Sequence, residues 1–280
     1  MGVFPGFGSW INDQNTQQPP KAESERSENV ESKSMSKKDS NNAPTKEKKA
    51  YHDEKEEEKQ DQLWHHAEKE HPWYDAPPKV KVTRKKGIYH MNIEFTAGMT
   101  PYGVYFLLTV PEHGPFFDEV KRRRLMENKS VKVLMDDGPR QISKVEKFVV
   151  WDFLWWSIPI PINLILDENR KELTTKYKKE KVMLMKVFEG NYKVEPIYAD
   201  QERLCKHRLP KSLEEYKICS GGKGKLAAKV TMNQYFQPYF PFNLPPLSWY
   251  IRGITIKTSK NLLKAFQNMT TEFRKAQRNP

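Results

Sequence analysis

Cysteine is nearly absent: the 280 residues hold two, Cys205 and Cys219. One pair cannot build the disulfide framework of a small secreted scaffold. The N-terminus shows no basic stretch leading into an apolar one, so no secretory signal is read there. Free thiols in a reducing compartment, cytoplasmic or nuclear, are therefore expected. Chemical motifs are scarce too. Gly221-Gly222-Lys223-Gly224-Lys225 is too short for a phosphate loop and runs into a strand-like segment rather than a helix. It reads as a hairpin loop. His52, His65, His66 and His71 cluster in a charged stretch that offers no further ligands of fixed geometry, so no metal site is expected. No cofactor motif is found.

Long apolar runs are rare as well. The longest, Phe148 to Leu166, contains one acid, Asp152, and is long enough to span a bilayer. Asp152 would cost about 3 kcal/mol near the bilayer centre. Pro159 and Pro161 break any helix through it, and its Val, Ile, Trp and Phe content favours strands. It reads as two buried strands joined by a corner at Ser157-Ile158-Pro159-Ile160-Pro161, with no transmembrane segment.

Charge is plentiful but uneven. Residues 1–62 carry 10 Lys+Arg against 13 Asp+Glu, leaving 38 against 23 for residues 63–280. The second part is thus about +15, which attracts polyanions such as nucleic acid, anionic lipid or acidic proteins. A solubilising surface is the plainer reading of the same excess. Between Lys21 and Gln62 the large apolar residues are Val30, Met35 and Tyr51, too few to offset the entropy of ordering the chain. Residues 1–62 are therefore expected to form a disordered charged arm and residues 63–280 the folded domain. A charged helix over 54–70, touching the domain through Leu63 and Trp64, fits the same stretch.

In the domain, strand-like runs dominate. Val80 to Ala97 is followed by Thr100-Pro101, a good N-cap and first-turn pair for a short helix. Asp136-Asp137-Gly138-Pro139 marks a turn. Val182 to Ala199 reads as one long strand with a bend or bulge at Gly190. Leu226, Ala228, Val230, Met232 and Phe236 share one strand parity, and Lys229, Thr231 and Asn233 the other. Pro238, Pro241, Pro245 and Pro246 end the sheet. Ile251, Ile254, Thr258, Leu262, Phe266, Met269 and Phe273 then recur at threes and fours, the stripe of an amphipathic helix over 247–277.

This order predicts an α+β fold in which a curved antiparallel sheet wraps around a long C-terminal helix. It resembles the START-like, or helix-grip, superfamily of polyketide cyclases, coenzyme-Q-binding proteins and birch-pollen-allergen-like proteins. Val187-Phe188-Glu189-Gly190-Asn191-Tyr192-Lys193-Val194-Glu195-Pro196 is similar to a strand of that superfamily, with Tyr192 in place of Trp. Met1 to Ile11 and Trp73 to Lys79 resemble a plant family known only as a domain of unknown function. The resemblance implies a cavity for a hydrophobic ligand between sheet and helix, in members that are enzymes and in members that carry lipid.

Trp151, Phe153, Trp155, Met183, Met185, Val187, Met232 and Phe236 share parities that place them as cavity-lining candidates, with Ile254, Leu262 and Phe266 facing them from the helix. A filled core is the bland alternative, Met being a common gap filler. Asp152, Glu189, Glu195 and His90 are the strand residues that would serve as acid or base if any faced inwards. The leading expectation is a monomeric, non-catalytic binder of a lipid, isoprenoid or similar molecule, touching anionic membrane surfaces through its basic rim. The competing one is an interaction module whose basic surface holds a macromolecule, nucleic acid included.

Overall fold

The computed structural model describes residues 53–70, 72–109, 117–118, 123–153, 156–206 and 208–275. Most of the arm expected over 1–62 lies outside them. In chain order the elements are α1 (Glu54–Glu70), β1 (Lys79–Lys85), β2 (Ile88–Ala97), α2 (Pro101–Thr109), β3 (Phe117–Asp118), β4 (Arg123–Arg124), β5 (Met126–Asp137), β6 (Arg140–Phe153), β7 (Trp156–Asn169), β8 (Thr174–Val182), β9 (Met185–Ala199), α3 (Gln201–Leu204), α4 (Leu213–Cys219), β10 (Lys225–Pro238) and α5 (Leu247–Lys275).

Eight strands form one antiparallel sheet in the order β1-β2-β10-β9-β8-β7-β6-β5. From β5 to β9 each strand pairs with the next through a hairpin; β10 then slots between β9 and β2. The sheet curls, and its buried face merges with the buried faces of α2 and α5 in one apolar cluster. This is the helix-grip arrangement. Alternation drives it: β2 buries Tyr89, Met91, Ile93, Phe95 and Ala97 in strict period two, and β7 does the same from Ile160 to Glu168. A one-residue slip would turn either set to solvent.

Several details depart from the sequence reading. The two most apolar strands pair up to Phe153 opposite Trp156, and Pro159 and Pro161 lie inside β7 rather than at a corner. They pair only with β6 there, because β8 joins β7 from Ile162 onwards. A residue without an N–H is tolerated where one side of the strand is open. The long strand expected from Val182 to Ala199 is instead a hairpin, with Met183 and Leu184 as its turn. Leu184 takes a left-handed φ of 64°. Cys205 and Cys219, expected free, form a disulfide across a Cα–Cα distance of 5.1 Å. The chain between them folds back through α4 and brings the two together. With the bridge formed, the cysteines no longer speak for a reducing compartment. No helix among the described residues is long and apolar enough to cross a membrane.

The first helix is more than a charged appendage. Trp64 is buried and its Nε1 donates to the Leu226 carbonyl at 2.9 Å. Gln60 donates to the Gly224 carbonyl and accepts from the Leu226 N–H, at 3.1 and 2.8 Å. Its amide thus serves the first residues of β10 as a strand would, before β2 begins pairing at Ala228. Among the described residues, α1 thus packs on the sheet from Gln60 onwards.

At the other end of the chain Arg274 is 4% exposed. The helical stripe places Phe273 inwards and Arg274 outwards, yet Phe273 is 49% exposed. Arg274 Nε donates to Glu68 at 3.1 Å, Nη1 to the Gly98 carbonyl at 3.2 Å, and Nη2 to the Trp73 carbonyl at 3.2 Å. Asp75 lies 3.7 Å from Nη1. Its carboxyl is pushed up by burial, against the Trp73 indole hydrogen bond and the Arg274 charge, which pull it down. Gly98 is required at this point: a Cβ there would sit 2.7 Å from the Trp73 ring and 2.8 Å from the guanidinium. One side chain thus ties α5 to α1, to residues 72–78 and to the end of β2.

Removing one partner from a buried ion cluster strands the others. Arg274→Met is expected to lower unfolding stability by about 3–5 kcal/mol in urea denaturation. Arg274→Lys should recover little of that loss, because an ammonium cannot reproduce the planar fork. A lysine variant as stable as the parent would show that charge alone suffices.

Candidate functional site: the interior between the sheet and the C-terminal helix

The concave face collects side chains from β2 and from β6 to β10, with α2 and α5 over it. Of the residues expected to line it, Trp151, Met185, Met232, Phe236, Ile254, Leu262 and Phe266 are buried in that cluster. Phe266 meets Phe95 edge-on at 5.7 Å. Met183 does not line it: the hairpin turn leaves it 40% exposed. Val187 stays half-buried outside the cluster. The reason is a bulge: Gln237 faces Val187 while Pro238 faces Met185, so Lys186 is unpaired and the inward parity switches. Phe188, Tyr192 and Val194 take the inward positions beyond it. The side chain of Phe153, and Trp155 entirely, lie outside the described residues.

The inner face of α5 is unusual for a core helix. Towards its N-terminal half the buried residues include Ser248, Thr255, Thr258 and Ser259. Thr255 and Ser259 satisfy their hydroxyls by donating to the carbonyls of Ile251 and Thr255, both at 2.8 Å. Small side chains thus line part of the helix side of this interior.

The four acid or base candidates from the sequence all face away from this space. His90 bonds Asn233 at 2.9 Å and stacks on Tyr235. Glu195 pairs with Lys193 at 2.8 Å. Asp152 accepts from Ser157, and Glu189 shares the outward side of β9. Two other ionisable residues point inwards: Lys147, 2% exposed, and Glu168, 5% exposed. Lys147 takes the parity of Val145, Val149 and Trp151, and Glu168 that of Ile162, Leu164 and Leu166. That signal was present in the sequence as a charged residue in an otherwise apolar register. Burial pushes the Glu168 carboxyl up to about 7, with Arg170 and Lys147 pulling it back. Burial drives Lys147 well below its ordinary value, with Glu168 opposing.

Tyr105, Tyr177 and Tyr192 bring hydroxyls into the same interior, all with pKa values raised by burial. Tyr177 donates to Gln234 Oε1 at 2.6 Å. Its ring reaches there across Gly190, where a Cβ would lie 2.2 Å from the Asn233 carbonyl oxygen and 2.5 Å from the Tyr177 hydroxyl. The bend expected at Gly190 is thus a close approach instead. Trp151 Nε1, Gln234 Nε2 and Ser248 Oγ are buried without a hydrogen-bond partner, while the Tyr192 hydroxyl has the Thr175 side chain beside it. Leaving such a group unmet costs about 1–3 kcal/mol.

A concavity runs along α5 beside α1 and residues 72–78. It is a groove of about 880 Å³ whose walls include Lys69, Trp73, Tyr74, Lys260 and Lys264. None of the strand residues expected to line a cavity belongs to it.

Residues 79–276 match the family described as domain of unknown function DUF220. The chain belongs to that family. No curated protein matches it. Among solved structures it is similar to the Zhui aromatase/cyclase from Streptomyces sp. R1128, at 10% identity and a TM-score of 0.39, over 65% of this chain and 93% of that one. TTHA0849 from Thermus thermophilus gives 13% and 0.37, over 65% and 97%. Ara h 8.0201 gives 12% and 0.34, over 66% and 99%. At these scores the architecture rests on the strand order and helix described above.

Glu168 makes stability depend on pH. Its folded pKa of about 7 lies above the ordinary 4.5, so the folded chain holds that proton more tightly than the unfolded one. The contribution is intact below pH 4.5 and is lost as pH rises towards 7, by roughly 3 kcal/mol at most. Lys147 acts in the opposite direction, its lowered pKa favouring the fold as pH rises. Comparing Glu168→Gln with the parent isolates the acid. The variant is expected to gain on the parent between pH 4.5 and 7 in denaturant titrations, and a difference that stays constant over that range would contradict the burial.

Proposed function

We propose that this domain binds or carries a small, largely apolar molecule between the concave face of the sheet and α5. The supporting observation is a pair of unmet polar atoms in the interior, Trp151 Nε1 and Gln234 Nε2. Native interiors satisfy such groups with protein or water, and the few exceptions ask for an explanation. A guest with polar atoms supplies the missing partners, while Met185, Met232, Phe236, Ile254, Leu262 and Phe266 supply apolar walls. The small buried residues Thr255 and Ser259 on α5 favour this reading. Binding sites of this kind are mostly apolar, with a few placed polar groups that fix orientation. The excess of basic residues over 63–280 suits loading from an anionic lipid surface.

Native mass spectrometry of protein purified from its source is expected to show a retained small-molecule mass. Thr255→Phe, which puts a ring on the inner face of α5, should abolish that mass while circular dichroism keeps the parent's secondary structure. A bare protein mass, together with no uptake of added lipid, would end this reading.

A further inference from the structure

The groove of about 880 Å³ along α5 has two walls of different character. The α5 wall carries Lys260, Lys264, Asn268 and Thr271, spaced at threes and fours and therefore in line along one helix face. The facing wall is the stretch from Pro72 to Pro78, with Lys69 of α1 at its start. That wall is preformed. Its prolines fix their own φ. The Trp73 N–H donates to Glu68 at 3.2 Å, and the carbonyls of Trp73 and Ala76 accept from Arg274 at 3.2 Å and Gln267 at 3.1 Å. The Trp73 ring packs edge-on against Trp64 at 5.5 Å, and its Nε1 donates to Asp75 at 2.7 Å. Tyr74 instead stands out from this wall, 85% exposed. An aromatic ring presented by a rigid segment is the usual anchor of an interface.

Charge in the groove is one-sided. Its two acids, Glu68 and Asp75, both face Arg274, at 3.1 and 3.7 Å. Lys275 lies 3.9 Å from Glu272. Lys69, Lys260 and Lys264 are exposed and have no acid within ion-pair distance among the described residues. From Lys260 to Lys275 the helix rises roughly 22 Å, which matches about seven residues of extended chain.

We propose that this groove docks an extended acidic peptide segment of a partner protein, with an apolar side chain against Tyr74 and the prolines and with carboxylates on Lys69, Lys260 and Lys264. The carboxamides of Asn261 and Asn268 line the same groove and are exposed. Each offers one acceptor and a pair of donors, the complement of a peptide group. Other polyanions fit the groove less well. An anionic bilayer is a broad surface and does not enter a slot. A single nucleic-acid strand calls for aromatic faces under successive bases, whereas Trp73 is already packed on Trp64 and Tyr74 offers one face. The docking is independent of any guest in the interior.

The test is fluorescence anisotropy of the full chain with a dye-labelled peptide of about eight residues built from glutamate, leucine and proline. The peptide is expected to bind, and exchanging its glutamates for glutamines should weaken it about tenfold, the scale of three exposed ion pairs. Lys260→Glu combined with Lys264→Glu should abolish binding. The same reversal at Lys176 and Lys178, exposed on β8, should leave it unchanged. Both pairs are surface residues, and matching urea midpoints would confirm that each variant is folded. Tyr74→Ala should weaken the peptide severalfold. No binding of the glutamate peptide would overturn the proposal, as would equal loss in the β8 variant. Tighter binding of oligothymidine or of phosphatidylserine vesicles through Lys260 and Lys264 would overturn it in favour of those partners.

Discussion

Curling a sheet of strict alternation leaves one large apolar surface that must be covered. In this chain α5 is the main cover, with α2 over the other end. Hydrophobic contact is non-directional, so it holds the helix to the sheet without fixing where the helix ends. Arg274 supplies that missing direction. Its planar group reaches Glu68, Gly98, Trp73 and Asp75 at once, and those partners come from three separate stretches of chain. Gln267 adds to the same seam by donating to the carbonyls of Ala76 and Thr96. The helix that covers the sheet is therefore anchored at its C-terminal end, while its N-terminal half buries small polar residues.

The interior under that lid differs from an ordinary core in what it buries. A filled core tolerates few polar atoms because each must find a partner or stay at a cost. Here Lys147, Glu168, three tyrosines, Gln234 and Thr175 all turn inwards. Hydrogen bonds settle part of this set, and burial shifts the titration of its acid and its amine in opposite directions.

Where the sequence reading and the structure part, local geometry explains the difference. Parity was sound along β10 and β2, yet it placed Met183 and Val187 with Met185, because a bulge at Lys186 cannot be read from a string of residues. The helical stripe predicted Phe273 inside. It missed Arg274, whose burial depends on partners brought by α1 and residues 72–78. The inward acids were sought at Asp152, Glu189, Glu195 and His90, although the apolar registers of β6 and β7 already marked Lys147 and Glu168. Gln60 carried no signal at all. It sits in a run of charged residues, and only the start of β10 gives its amide a purpose.

The sequence by itself determined the α+β class, the antiparallel strands and the long terminal helix, since these follow from periodicities of two and about 3.6 within single segments. It also determined most of the apolar walls, because burial in a strand is written in its alternation. Tertiary structure alone decided which polar residues meet, that Cys205 reaches Cys219, and that α5 is held by a buried arginine. Those contacts join residues far apart in the chain, and no local pattern records which distant partner will arrive to satisfy a hydrogen bond.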